Sequence, residues 1–188
     1  MKINIKYIKE SIVVVGTAML FSCSNNTQEV RDFLADKNLP VGKARDAYHV
    51  YKDSGRITSK LITPLMLDYS NRKGHPYTEF PKGITIVNFT NKGQDSVTIT
   101  GNFALNYPRT SISEIRGNVV VINHTDKSKL ETEQLFWDEI QHYFISEKKF
   151  RLTTESQDTI EGIGFESKDD LSKHLAKKTT GRIKTNEE

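Results

Sequence analysis

His49, His75, His124, His142 and His174 are the first residues to test for chemistry. None stands two or four positions from another and none sits in an HExxH frame, so the spacing that holds zinc is missing. Glu131, Glu133, Asp138 and Glu139 could supply the carboxylate pair of a glycoside hydrolase. In a strand, however, Glu131 and Glu133 line one wet face opposite Leu130 and Thr132. Gly162 and Gly164 give a GxG, but no P-loop, GxGxxG or GxSxG accompanies it. Cys23 is the sole cysteine, which excludes an intrachain disulfide. No catalytic residue, metal site or cofactor is expected, and the chemistry that remains is binding. Lys148, Lys149 and Arg151, grouped around Phe150, are the candidates for an anionic group such as a phosphate; a solvated face uses the same residues.

The stretch that positions most of these residues is 129–167, which reads as three consecutive strands. Leu130 and Thr132 alternate with polar neighbours, as do Leu135 and Trp137, but the apolar parity switches near Glu133 and Gln134. A bulge there would restore one apolar face. Tyr143, Ile145, Phe150 and Leu152 continue the alternation, and Ile160, Ile163 and Phe165 come next, between thinning glycines.

Upstream, Tyr48 and Val50 alternate with polar residues, and Asp53-Ser54-Gly55 supplies a hairpin turn. Pro64 within the return strand predicts an edge strand or a bulge, since proline cannot donate to a ladder. Val97, Ile99, Gly101, Phe103, Leu105 and Tyr107 form the cleanest period-two run, and residues 119–122 the most apolar strand. An Ile-x-Gly phrase recurs at Ile99, Ile115 and Ile160, which fits antiparallel strands that each need a thin spot at a similar level. No segment sustains helical periodicity; residues 28–35 offer about one helical turn and Leu171 to Leu175 at most another turn. About nine to eleven short strands with frequent turns predict an all-β sandwich or barrel-like roll.

The N-terminus carries Lys2, Lys6 and Lys9, then SIVVVGTAMLF, then Ser22-Cys23. A basic start and an apolar run of about ten residues describe a secretory signal, too short for the roughly 20 residues of a membrane span. Leu20-Phe21-Ser22-Cys23 resembles a lipobox, in which the cysteine thiol receives diacylglycerol. The expected organisation is a lipoprotein signal peptide over 1–22, an acylated Cys23 and tether over 23–43, one β domain over 44–183 and a frayed tail over 184–188. Net charge is +3 over the chain. With Lys2, Lys6, Lys9 and Glu10 set aside as part of the signal, 24 basic residues face 23 acidic ones. Such balance gives no basic stripe for nucleic acid.

L-x-T-x-x-L-x-W-D at 130–138, K-x-x-x-x-T-T at 148–154 and D-T-I-x-G-x-G-F-E-S at 158–167 resemble the LptC family of periplasmic lipopolysaccharide-export proteins. The resemblance covers roughly 44–183 and implies a single open β-jelly roll, a β-taco, without catalytic activity. It implies an apolar groove for the lipid A portion of lipopolysaccharide, with Ile99, Phe103, Leu105, Val119, Val121, Leu135, Trp137, Phe150 and Leu152 as the inward set. Read by pattern alone, the same residues fill a closed core. Trp137 would hold its indole N–H at the groove mouth. The family further implies strand-addition partners at both ends of the roll. One is the inner-membrane lipopolysaccharide ABC transporter at Tyr48 and Val50; the other is a periplasmic bridge protein of the LptA type at Leu171, Leu175 and Ile183. Attachment through acylated Cys23 would place the chain on the periplasmic face of the inner membrane. The alternative is a lipid-anchored sandwich module that binds carbohydrate or protein.

Overall fold

The computed structural model describes residues 27–90, 95–156 and 158–182. Among the described residues there are one helix, α1 (Thr27–Asp36), and one antiparallel sheet. The helix has 10 residues where the sequence led us to expect a single turn. The strands are β1 (Gly42–Asp53), β2 (Arg56–Tyr69), β3 (Tyr77–Phe80), β4 (Ile84–Thr90), β5 (Asp95–Gly101), β6 (Phe103–Tyr107), β7 (Ile112–Asn123), β8 (Lys129–Asp138), β9 (Tyr143–Thr153), β10 (Thr159–Lys168) and β11 (His174–Arg182). The fold is the open β-jelly roll expected: a single sheet of 11 strands.

The pairing explains how one sheet makes a roll. Along one edge of β2, residues 59–62 pair with β4 and residues 67–69 with β3. Along one edge of β7, residues 112–116 pair with β6 and residues 120–123 with β5, while β8 lies along the other edge. β3 with β4, and β5 with β6, are therefore two long ribbons, each broken once. The break falls at residues 81–83 in one and at Asn102 in the other.

The same level is irregular in strand after strand. Pairing slips between Arg116 and Val119 of β7, between Thr132 and Phe136 of β8, and between Ile163 and Phe165 of β10. Bulges bend strands, and a row of them creases the sheet so that its two halves face each other. In β2, an inner strand, Pro64 falls between the β4 pairing and the β3 pairing. The gap in the ladder, and not an edge position, is what tolerates a residue without an N–H. Gly117 meets the crease with φ +73, a conformation that suits glycine. Gly101 meets it through space: a Cβ there would lie 2.2 Å from Ile115 Cγ2.

A crease leaves backbone groups without ladder partners, and buried hydroxyls take them up. Thr63 Oγ1 lies 2.8 Å from the Gly83 carbonyl and 3.0 Å from that of Leu65. Thr132 Oγ1 lies 2.9 Å from the Lys149 carbonyl and 3.0 Å from Ser146 Oγ, which accepts from Lys148 N–H.

Between the halves lies the core, where Ile99, Ile115, Val121, Leu130, Leu135, Phe144 and Phe165 are all 0% exposed. At the β7–β11 end the roll is shut. Asn123 Nδ2 donates to the Asp170 carbonyl at 2.8 Å, and Leu171 on the same turn is only 4% exposed within the core. α1 docks on the turn after β2. Arg72 Nη1 donates to the Ala35 carbonyl at 2.6 Å and Asn71 Nδ2 to that of Arg31 at 3.3 Å. Among the described residues no helix is long and apolar enough to cross a membrane.

Candidate functional site

At the other end the interior is not filled. A cavity of about 590 Å³ opens between the sheet halves, inside the usual ~300–1,000 Å³ range of small-molecule sites. Leu61, Ile84 and Ile86 line it from one side of the crease, and Met66, Phe80, Ala104 and Ile115 from the other, with Trp137 beside them. Each strand presents alternate residues to it, so period-two patterning produces the apolar lining.

One end of the cavity is polar. Glu139 Oε1 accepts from Ser113 Oγ at 2.8 Å and from Asn106 Nδ2 at 3.1 Å. Burial pushes the Glu139 carboxyl above its usual range; the Ser113 and Asn106 bonds pull the other way, and Asp138 adds to the rise. Tyr51, reaching in from β1, has its phenol raised by burial and by the Glu139 charge. His142 Nδ1 and Asp169 Oδ2, 3.0 Å apart, complete this end. Among the described residues no cluster of three His, Cys, Asp or Glu could hold a metal ion.

Of the expected inward set, Trp137 lines the cavity; it is 7% exposed, and its Nε1 is buried with no hydrogen-bond partner among the described residues. Ile99, Val119, Val121, Leu135, Phe150 and Leu152 belong to the buried core instead, and Val119 and Phe150 also border a second hollow. Phe103 and Leu105 require a correction. The break at Asn102 flips the alternation, so Ala104 and Asn106 face the cavity while Phe103 and Leu105 lie on the outer face. There the Arg116 guanidinium sits 5.7 Å from the Phe103 ring centroid and covers it.

Arg151 and Lys149 line a separate hollow of about 890 Å³ on the outer face, together with Glu131, Glu133, Glu161 and Lys178. Arg151 Nε donates to Glu161 at 2.6 Å, and Lys148 is exposed nearby. These three cations therefore do not surround the cavity. Tyr48 and Val50 are exposed on β1, which among the described residues pairs only with β2, and Leu175 is exposed on β11 at the opposite edge. Leu171, expected at that edge, is corrected to a core plug. Cys23 and Ile183 lie outside the described residues.

Sequence reading misses Leu61, Phe80, Ile84, Ile86, Ala104 and Ile115 as cavity residues, although all of them stand in segments it reads as strands or turns beside them. Their signal is alternation alone, which does not say where two half-sheets stop touching.

A comparison with curated proteins finds no match. A family model described as "Lipopolysaccharide-assembly, LptC-related" matches residues 12–184. That family consists of transport components rather than catalysts. A creased single-sheet roll with an apolar interior and a match over nearly its whole length place the chain in the LptC family, with a role in lipopolysaccharide transport in the bacterial envelope.

Proposed function

We propose that this protein carries lipopolysaccharide without catalysis. It holds the lipid A acyl chains in the cavity between the sheet halves and passes them from the inner-membrane ABC transporter to a periplasmic bridge protein of the LptA type. The observation that supports this most is the half-filled roll. Packed interiors leave few voids larger than a water molecule, so about 590 Å³ of apolar-walled space is room kept for a guest. Each Å² of ligand hydrocarbon buried there contributes about 25 cal/mol.

The rest of the route is that of the family. Residues 1–22 act as a lipoprotein signal, and Cys23 carries the acyl anchor that holds the domain at the inner membrane, with α1 docked back on the domain. The exposed edge at Tyr48 and Val50 adds a strand to the transporter's periplasmic domains, and the edge at Leu175 does so to the bridge.

Site-specific photo-crosslinking in cells tests the cavity. A crosslinker at Ile86 or Phe80 is expected to form lipopolysaccharide adducts, and one at Leu152, inside the filled end, none. Absence of adducts at Ile86 and Phe80 in a folded, expressed protein would overturn the carrier reading and favour a sandwich module for carbohydrate or protein.

A further inference from the structure

Glu139 is out of place in an acyl-chain groove. Its carboxyl lines an apolar-walled cavity, and no ion pair engages it among the described residues. Two of the donors beside it, Asn106 and Ser113, are already used. Asn106 Nδ2 reaches both Ser113 Oγ (3.0 Å) and Glu139 Oε1, and the Ser113 hydroxyl donates to that same Oε1. Both fixed donors thus converge on one carboxylate oxygen and leave Oε2 with none among the described residues. His142, the one basic side chain among the described residues that line the cavity, is turned to Asp169. Oε2 is not one of the buried, unpartnered polar atoms, so it opens to the cavity and is free to accept from water or from a ligand that displaces that water.

From this arrangement we infer that Glu139 is a specificity-determining residue: Oε2 accepts a hydrogen bond from a neutral donor, a hydroxyl or an amide N–H, near the polar end of a bound acyl chain. The inference rests on the proposed carrier reading, since it names the group of the lipid that the cavity recognises. Charge decides against an anionic group at this spot. A phosphate would face Glu139 and Asp169 with no unpaired cation among the described lining residues, so the ligand's phosphates must lie elsewhere. A neutral donor meets no charge repulsion from a carboxylate and exchanges its bond to water for a charge-assisted one. Asn106 and Ser113 hold Oε1, which fixes the direction in which Oε2 presents its lone pairs.

Two pairs of soluble probes separate the donors. Methyl 3-hydroxydecanoate is compared with methyl decanoate, and N-methyldecanamide with N,N-dimethyldecanamide. Binding is read from the emission of Trp137, the only tryptophan in the chain, which lines the same cavity. The wild-type protein is expected to favour the donor-bearing member of at least one pair about tenfold, the size of one hydrogen bond to a charged acceptor. Glu139→Leu is expected to abolish that preference while binding the donor-free member at least as well. If Glu139→Leu does not fold, Glu139→Met, unbranched and of similar length, takes its place. Equal binding of both members of both pairs to the wild type overturns the inference and leaves the carrier reading standing. No binding of any probe overturns both. A preference that survives in the variant overturns the role of Glu139 alone.

Discussion

Glu114 accepts hydrogen bonds from Arg116 Nε at 2.7 Å and Nη2 at 2.6 Å, and a third from Gln134 Nε2, on the outer face of β7. Burial works to raise its pKa, but the Arg116 and Gln134 bonds and the guanidinium charge outweigh that and hold it below the usual carboxylate range. A depressed folded-state pKa contributes stability that is fully present above the unfolded value and is lost as pH falls through the folded one. Arg116→Ala strands a buried carboxylate, yet Arg116 is itself half exposed, so the cost is discounted to about 1–2 kcal/mol at neutral pH. Urea unfolding of both proteins from pH 7 downward should show that gap closing as Glu114 takes up its proton. A gap that stays constant into acid would mean that Arg116 acts by covering Phe103 and not through charge. Glu139 has the opposite sign. Its raised pKa makes the stability term largest below the unfolded value, and that term is lost as pH rises through the folded one. Above its folded-state pKa the ionised carboxylate is therefore kept against the interest of the fold.

The crease is the element-scale device, and Gly162 tests it. A Cβ there would meet the Lys178 carbonyl oxygen at 2.4 Å and Phe150 Cε1 at 2.8 Å. The first of these is backbone of the neighbouring strand and cannot rotate away. Gly162→Ala should therefore cost about 2–4 kcal/mol and loosen the β10–β11 pairing. Gly55→Ala is the control: φ is +81 in an exposed turn with nothing within 4 Å, so the cost is about 1 kcal/mol from the left-handed backbone alone. Equal losses in thermal unfolding would show that space at the crease is not what Gly162 supplies. How the crease reads in sequence depends on the residues just past each break. At Glu133 and Gln134 the apolar residues change parity, and the bulge is visible without coordinates. At Asn102 the alternation also flips, but Phe103 and Leu105 are apolar on the outside. The hydrophobic beat from Val97 to Tyr107 therefore runs on unbroken while the strand does not. Gly101 and Gly117, two of the Ile-x-Gly glycines, do fall at one level, as their recurrence suggests.

For the whole molecule the decisive asymmetry is between a shut end and an open one. The many-stranded character and its apolar faces are legible in the sequence, because alternation is local. Which half of the interior is filled is not, because it depends on a turn 47 residues away from the end of the strand it caps. There the Asp170 carbonyl receives Asn123, and Leu171, with φ 62, turns inward as a plug. Two substitutions of one kind at the two ends put this asymmetry to the test. Ala104 is buried but borders the cavity, so Ala104→Phe has space to enter. It should leave the melting temperature within a few degrees of wild type and abolish lipopolysaccharide adducts at Ile86. Val121 is 0% exposed in the filled end, where added volume must displace neighbours, so Val121→Phe should cost about 1–3 kcal/mol while the cavity still takes its adducts. If Ala104→Phe destabilises as much as Val121→Phe, the open end is as tightly packed as the shut one, and the space assigned to an acyl chain does not exist in solution. If both variants melt as wild type does, the roll is soft throughout and a rigid trough is the wrong description. Only the split result, blocked but stable at one end and destabilised but competent at the other, fits a sheet that packs one half of its interior for itself and keeps the other half for a lipid.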